Sequence, residues 1–182
     1  MSSPVVIVGV CGSIAAYKAA ELVSTLVKRG CEVHVVMSPG AERFVTPLTF
    51  QTLSRHPVVT EHDALTGNWK PAHIDLADRA QLLLIAPATA NVLAQLACGL
   101  AAHPLTEIAL ATLAPVLIAP AMNGKMWQHP ATQANAATLK ARGVDFIGPE
   151  EGLLACGYEG IGRMWKVEEV AERAMTFLAR IT

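Results

Sequence analysis

Two apolar runs of the sequence end in the same tetrapeptide, Ile-Ala-Pro-Ala, and each is followed by side chains that a buried core does not need. The first run, residues 82–88, is followed by Thr89 and Asn91. The second, residues 116–121, is followed by a segment with two methionines, an asparagine and a tryptophan at 122–127. Ligands of open α/β sheets bind beyond the carboxyl ends of the strands. The sequence therefore predicts a pocket where these two strands end.

A third predicted strand end carries Gly9, Gly12 and Ser13 directly before a helical pattern. Backbone N–H groups at a helix start, with the helix dipole behind them, favour a phosphate. The stretch matches neither the G-x-G-x-x-G fingerprint nor the P-loop. A Gly-Ser pair before a helix is equally typical of an ordinary N-cap, so the residues alone leave both interpretations open.

Small neutral polar groups extend the same predicted rim. Ser38 ends the second strand, and Thr89 and Asn91 lie beside Pro87. Such groups on an apolar rim suit a flat heteroaromatic ligand that carries a phosphate.

Hydrophobic periodicity predicts the elements that position these residues. Short apolar runs are typical of parallel strands buried on both faces; they lie at residues 5–10, 31–37, 82–86, 116–119 and 144–148. Helical periodicity covers residues 13–29, 88–98, 131–142 and 167–180. The alternation predicts one α/β domain with a doubly wound parallel sheet over residues 1–182.

Two segments lack a clear period. Residues 55–72 are polar and contain Pro57, Gly67 and Pro71, which predicts a long loop or an excursion at the sheet edge. Residues 150–164 contain four glycines at turn-like spacings. That spacing predicts a mobile flap, near residues 150–165, rather than a regular element.

Composition limits the class of protein. A net charge of −1 gives no electrostatic case for nucleic acid or an anionic membrane. The chain is 52% hydrophobic and only 16% charged, against an ordinary charged share of about 25%. This apolar excess favours a homo-oligomer, with a dense core as the alternative.

The sequence shows no membrane span, no basic region typical of a signal peptide, and no zinc-ligand spacing. Four scattered cysteines without a C-x-x-C pair predict free thiols in a reducing cytoplasm, and no metal site.

Five motifs then occur in a characteristic order: GVCGSIAAYK at residues 9–18, HIDLAD at 73–78, IAPATAN at 85–91, PAMNGKMW at 120–127 and LACGYEGIGRM at 154–164. Together they resemble the flavin-containing cysteine decarboxylase family over nearly the whole chain. The Pro-x-Met-Asn-x-x-Met-Trp and Ala-Cys-Gly motifs are the specific ones.

The resemblance implies a flavodoxin-like (Rossmann-like) subunit that binds FMN and assembles as trimers or dodecamers, with the flavin between subunits. It implies oxidative decarboxylation of a cysteine carboxylate, with 4'-phosphopantothenoylcysteine of coenzyme A biosynthesis as the favoured substrate. The alternatives are a peptide with a C-terminal cysteine and a non-catalytic flavin-binding regulatory subunit. The implied FMN contacts are Gly12, Ser13 and Ser38 at the phosphate, and Pro87, Ala88, Thr89 and Asn91 at the ring.

The resemblance also assigns catalytic roles. His73 is the implied base on the thiol side, Asn123 holds the substrate carboxylate, and Cys156 donates a proton in the final reduction. On residue type alone these three would be a surface histidine, a turn asparagine and a structural cysteine. The implied substrate contacts are Met122, Met126, Ala155 and Arg163.

The chain departs from the family pattern at two places. Ala102 and His103 replace an Asp-Asn pair that helps the subunit contact and the flavin, and Tyr158 stands where an acidic residue is usual. These departures leave the natural substrate and the details of the interface open.

Overall fold

Five parallel strands form the centre of the computed structural model, which describes residues 3–61, 70–157 and 159–180. The strands are β1 (Val5–Val10), β2 (Glu32–Met37), β3 (Leu82–Ala88), β4 (Val116–Pro120) and β5 (Asp145–Phe146). Their order in the sheet is β2-β1-β3-β4-β5. The chain leaves β1 toward one edge and resumes at β3 on the other side. The loops after β1 and β3 therefore diverge, which opens a crevice at the switch point.

The helices cover both faces of this sheet. They are α1 (Ala16–Lys28), α2 (Pro47–Ser54), α3 (Ala72–Arg79), α4 (Ala90–Cys98), α5 (Pro104–Ala111), α6 (Gly124–Gln128), α7 (Pro130–Ala141) and α8 (Val167–Leu178). Side chains on successive strand residues point to opposite faces. In β1, Val6 and Val8 pack with α1 and α8, whereas Ile7 packs with α4, α5 and α7. The predicted doubly wound α/β fold is confirmed.

Three short helices were not predicted from the sequence. The helices α2, α3 and α5 have eight residues each, and α2 and α5 begin at a proline. Two turns of helix give too few repeats for the apolar period to stand out from chance. The helix predicted at 13–29 begins only at Ala16, because residues 13–15 form a turn.

The segment from 55 onward runs along the sheet edge where it is described. Val59 pairs with β2, donating its N–H to the carbonyl of Val35 at 3.0 Å and accepting from the N–H of Met37 at 2.9 Å. This agrees with the predicted edge excursion. The rest of that segment, residues 62–69, lies outside the described residues.

The glycine-rich segment contains regular structure, so the prediction that it lacks a regular element was wrong. It forms an antiparallel hairpin of β6 (Glu150–Leu153) and β7 (Glu159–Arg163). The carbonyl of Gly162 accepts a hydrogen bond from the N–H of Met122 at 2.9 Å. A Cβ on Gly162 would lie 2.2 Å from the carbonyl oxygen of Met122, and one on Gly124 would lie 2.6 Å from that of Ile161. Gly162 and Gly124 thus allow close contact between the two backbones.

Within the described ranges, no helix is long and apolar enough to cross a membrane.

A histidine cluster lies at the amino end of β2, away from the strand ends that form the crevice. His34 Nε2 is 2.9 Å from a carboxylate oxygen of Glu32, and the rings of His34 and His56 are 4.3 Å apart. The side-chain ligand atoms of these three residues lie within 4.8 Å of one another. The guanidinium of Arg79 contacts Glu32 and lies 3.4 Å from His34 Nε2, so a cation already faces both groups. The cluster is therefore a hydrogen-bonded network that ties α3 to β2.

The network predicts a pH dependence of stability. Burial lowers the pKa of His34 below its usual value, although the hydrogen bond to Glu32 opposes this. The unfolded chain then binds the proton more readily, so the free energy of unfolding falls as pH drops through the unfolded histidine pKa of about 6.5. We expect His34→Gln to show a smaller loss of stability than the unchanged protein between about pH 8 and pH 5, measured by urea unfolding. Equal pH slopes in both proteins would contradict this.

Candidate active site

A cleft of about 560 Å³ lies beyond the carboxyl ends of β1, β3 and β4. Four segments form it: the turn between β1 and α1, the start of α4, the loop between β4 and α6, and the hairpin. The lining residues are Gly12, Ser13, Ile14, Ala15, Tyr17, Lys18, Thr89, Ala90, Ala121, Met122, Asn123, Met126, Leu153, Leu154, Ala155, Cys156, Gly162, Arg163 and Met164. The hairpin therefore covers one side of the pocket that the strand ends predict.

The turn after β1 is fixed by close packing of two glycines. A Cβ on Gly12 would lie 2.7 Å from the carbonyl carbon and oxygen of Gly40, which follows β2. Ser13 Oγ accepts a hydrogen bond from the N–H of Ala15 at 3.3 Å. The amino end of the 13-residue helix α1 begins here, beside the cleft. Gly12 and Ser13 thus lie where a phosphate would meet backbone N–H groups and a helix dipole.

The predicted flavin contacts divide into two groups. Gly12, Ser13 and Thr89 line the cleft. Ser38, Pro87, Ala88 and Asn91 do not.

Thr89 caps α4, because its Oγ1 accepts from the N–H of Val92 at 3.4 Å. Ser38 is 6% exposed and donates its backbone N–H to Val10 at 2.9 Å. Pro87 and Ala88 are buried at the end of β3, where the carbonyl of Pro87 accepts from the N–H of Cys11. Ser38, Pro87 and Ala88 are thus buried below the strand ends and do not form the cleft surface.

Asn91 is exposed on the first turn of α4 and does not line the cleft. Its predicted contact with the ring therefore has no support within a single chain.

Two of the predicted catalytic residues meet in the cleft. The side-chain amide of Asn123 donates to the sulfur of Cys156, with Nδ2 and Sγ 3.4 Å apart. The amide oxygen of Asn123 caps α6 by accepting from the N–H of Lys125 at 2.9 Å. Because the cap fixes the oxygen, the NH₂ group is directed at Cys156 and the cleft.

The predicted substrate contacts also line the cleft. Met122, Met126 and Ala155 contribute apolar surface, and Met126 is half exposed. Arg163 is paired with Glu150, whose Oε2 lies 2.7 Å from Nη2 and 3.1 Å from Nε. The guanidinium is thus already engaged by a carboxylate, which weakens its predicted role as a substrate clamp. Trp127, the last residue of the PAMNGKMW motif, is 9% exposed and packs in the core.

His73 stands apart from the other two predicted catalytic residues. It lies on α3, and the described lining of the cleft does not include it. Its Nδ1 is 3.2 Å from Oε2 of Glu107 on α5, and both side chains are about one third exposed, at 28% and 32%. Within one chain, His73 and the Asn123–Cys156 pair are not brought together in the cleft.

The cysteines differ sharply in their surroundings. Cys156 is exposed, whereas Cys11, beneath the cleft, is fully buried. Burial raises the pKa of the Cys11 thiol to about 12, although a hydrogen bond from the backbone of Thr89 opposes the shift. Cys11 therefore stays a neutral thiol and a packing residue, whereas Cys156 is the exposed cysteine in the described lining of the cleft.

Sequence reasoning missed part of the cleft wall. Ile14, Tyr17 and Lys18 line the cleft, and the first two are 59% and 63% exposed. Their spacing of three and four residues, which places them on one face of a helical turn, was the available signal. Ile14 and Tyr17, together with Met126 and Leu153, which are 50% and 64% exposed, form an apolar mouth.

The residues that depart from the family pattern sit at the start of α5. His103 is buried, its Nε2 is 3.1 Å from the side-chain oxygen of Gln95, and its backbone pairs with the hydroxyl of Thr106. Burial lowers the pKa of His103, so the ring is neutral at neutral pH. The substitution thus introduces a buried hydrogen-bonded ring rather than a charge. Tyr158 lies outside the described residues.

Comparison with known proteins places these features in a family. A family model described as Flavoprotein matches residues 1–179. The Bacillus subtilis coenzyme A biosynthesis bifunctional protein CoaBC is 49% identical over 177 residues, covering 97% of this chain and 44% of that protein. The chain thus spans less than half the length of the bifunctional relatives that it matches. A probable phosphopantothenoylcysteine decarboxylase of Streptococcus mutans is 44% identical over 174 residues, covering 92% of this chain and 95% of the relative.

Solved structures agree with the sequence relatives. A PPC decarboxylase cysteine-to-serine variant, complexed with pantothenoylaminoethenethiol, superposes with a TM-score of 0.87 at 29% identity, covering 97% of this chain and 99% of the other. The FMN-dependent cysteine decarboxylase SpaF superposes with a TM-score of 0.82 at 31% identity, covering 97% and 98%. From the family match, the two relatives and the shared fold, the chain belongs to the flavoprotein family.

Proposed function

We propose that the protein is an FMN-dependent decarboxylase of a cysteine carboxylate, with 4'-phosphopantothenoylcysteine as its substrate in coenzyme A biosynthesis. The observation that carries this is the contact between Asn123 and Cys156 inside a cleft that starts at the Gly12–Ser13 turn. Relatives named for coenzyme A biosynthesis and for phosphopantothenoylcysteine decarboxylation support the choice of substrate.

The residues present fit FMN. The cleft volume of about 560 Å³ lies in the range of ~300–1,000 Å³ that small-molecule sites occupy. Gly12 and Ser13 would hold the phosphate at the start of α1, and Thr89 would lie beside the ring at the start of α4. When bound, the flavin supplies a reversible two-electron oxidation at the C–S unit of the substrate, which allows CO₂ to leave with no net redox change.

The protein's own groups orient the substrate and move protons. The NH₂ group of Asn123 is directed toward the cleft, because its oxygen is held by the cap of α6, and it would donate to a substrate carboxylate there. Cys156, 3.4 Å away, would give a proton when the ene-thiol that remains after CO₂ leaves takes back its two electrons from the flavin. The carboxylate holder and the proton donor thus serve the same end of the substrate.

The base, His73, is proposed to come from a neighbouring subunit. Its exclusion from the cleft of its own chain is the structural reason. The exposed apolar mouth, which includes Ile14, Tyr17 and Leu153, supports contact with a second copy. We therefore propose a homotrimer, or a dodecamer built from trimers, with the active site shared between subunits.

The four cysteines, all free thiols, favour the reducing cytoplasm as the proposed location. The hairpin is the proposed substrate flap of a single domain. Its β7 strand is held to the loop after β4, so movement would be confined to the tip around Ala155 and Cys156.

Phosphate binding at the α1 start is tested with Ser13→Asp. The new carboxylate repels a phosphate and should lower FMN affinity about tenfold or more, equivalent to ~1.4 kcal/mol. Flavin content and FMN titration measure the effect. Riboflavin, which lacks the phosphate, should bind the variant and the unchanged protein equally. The control is Ser13→Ala, which keeps the backbone donors and should retain FMN. Equal loss of riboflavin would show that the turn had merely been disrupted.

The shared site is tested by subunit complementation. His73→Asn should keep FMN but release no CO₂, whereas Cys156→Ser should not complete the aminothiol product. Mixed oligomers of the two variants contain sites with both residues intact, so aminothiol product should reappear. The control mixture pairs His73→Asn with a chain that carries both changes, and it should stay inactive. Mixed oligomers that form but make no product would refute the shared site.

Cys156→Ser also separates the two halves of the reaction. A serine hydroxyl is a far weaker acid than a thiol, whose unperturbed pKa is about 8.5. The variant should still release CO₂ from 4'-phosphopantothenoylcysteine and accumulate a product two hydrogens lighter than the saturated aminothiol. Mass spectrometry of a single turnover reads this directly. The matched control is Cys98→Ser, an exposed cysteine outside the cleft, which should give the normal product. Normal product from Cys156→Ser would remove Cys156 as the donor.

The same assay decides the substrate class. A peptide that ends in cysteine, offered in parallel with 4'-phosphopantothenoylcysteine, should be decarboxylated far more slowly. Preference for the peptide would overturn the proposed role in coenzyme A biosynthesis while leaving the chemistry intact.

A further inference from the structure

A carboxylate on α5 faces the proposed base. His73 Nδ1 lies 3.2 Å from Oε2 of Glu107, and both side chains are partly shielded from solvent. Glu107 is not among the described residues that line the cleft, and it lies outside the five sequence motifs. Its relation to His73 is therefore a feature of this chain's packing.

The packing of two helices brings His73 and Glu107 together. The helices α3 and α5 lie side by side: Thr112, just after α5, donates its hydroxyl to the carbonyl of Ala77 at 3.1 Å. Leu76 on α3 and Ile108 on α5 are buried in the same core cluster. Glu107 lies in the first turn of α5, where the N-terminal helix dipole favours a carboxylate. The packing of the two helices thus holds the backbone of both partners.

We propose that Glu107 is a positioning residue for His73: it accepts the Nδ1–H and so leaves the Nε2 lone pair as the proton acceptor. This inference rests on the proposed role of His73 as base. A neutral imidazole carries one proton, and a hydrogen bond to one ring nitrogen decides which nitrogen carries it. Free imidazole side chains favour the opposite tautomer, with the proton on Nε2, so an acceptor at Nδ1 is needed to reverse the preference.

The pair also fixes the direction of the ring. With Nδ1 held beside Glu107 on α5, Nε2 is the ring nitrogen left for the substrate. In the proposed step, the substrate thiol proton moves to Nε2, and the thiolate is left for oxidation. Glu107 keeps its charge and exchanges no proton in this step, and it touches neither substrate nor cofactor.

The alternative is an ordinary surface ion pair. Exposed pairs of this kind contribute about 0–1 kcal/mol to stability and have no effect on tautomer or turnover beyond that. Stability alone therefore cannot distinguish the two roles, whereas the tautomer of His73 can.

The decisive measurement is the nitrogen NMR spectrum of histidine-labelled protein, with the His73 signals assigned by their loss in His73→Asn. In the unchanged protein the neutral ring of His73 should be protonated on Nδ1. In Glu107→Leu, which removes the acceptor at similar size, the proton should shift to Nε2. In Glu107→Gln the amide oxygen still accepts from Nδ1–H, so the original tautomer should persist. Glu172→Leu, an exposed glutamate on α8 on the opposite face of the sheet, is the matched control and should change nothing.

Turnover should follow the tautomer. Glu107→Leu should lower kcat about tenfold or more, a part of the ~10²–10⁴-fold that a general base supplies. The KM should change little, because substrate binding rests on the cleft. Glu107→Gln should keep most of the activity of the unchanged protein. If the negative charge alone were required, this variant would be as slow as Glu107→Leu.

The outcomes separate this inference from the proposed function. If His73→Asn stops CO₂ release but Glu107→Leu leaves the tautomer and kcat unchanged, the positioning role is refuted and the function stands. If His73→Asn still releases CO₂, the base assignment fails. A His73 ring protonated on Nε2 in the unchanged protein overturns the positioning role without any variant, even where Glu107→Leu does not fold.

Discussion

The close backbone contact between Gly162 and the loop after β4 is the constraint on which the cleft depends. The carbonyl of Gly162 accepts from Met122, and neither Gly162 nor Gly124 has room for a Cβ. Larger residues would push the hairpin away by an ångström or more. Cys156 lies only a few residues from this contact, and Asn123 lies within it. The 3.4 Å approach of Asn123 to Cys156 therefore exists because two glycines let two backbones touch.

A second glycine contact holds the other end of the cleft. Gly12 packs on Gly40, which fixes the turn after β1 against the turn after β2. The strand order sets where the crevice lies, because the loops after β1 and β3 diverge where the chain changes direction along the sheet. Both ends of the cleft, at Gly12 and at Gly162, are thus formed in the same way. Rigid parallel strands bring loops to one edge, and glycines allow those loops to pack closely.

The sequence predicts the parts of this arrangement that depend on local pattern. The buried strands follow from apolar runs, and their order in the chain predicts the rim that carries Gly12, Ser13 and Thr89. The hairpin was missed because the same glycines that permit tight packing also suit a flexible loop, and only the partner backbone distinguishes the two. The pairing of Glu107 with His73 was not predicted, because it joins two short helices whose paired residues are 34 positions apart in the sequence. Such contacts leave no periodic signal.

The placement of His73 would link catalysis to assembly. A single chain brings Asn123 and Cys156 together in the cleft, yet holds His73 beside Glu107 where α3 and α5 pack. If the base comes from a neighbour, the mouth formed by Ile14, Tyr17 and Leu153 is the apolar surface that the contact would cover. Any ligand that bridges two subunits then stabilises their association, since binding to the assembled form alone shifts the equilibrium toward it. The apolar excess of the composition would then have a physical explanation, because the surface that a lone subunit exposes would be the surface that completes its active site.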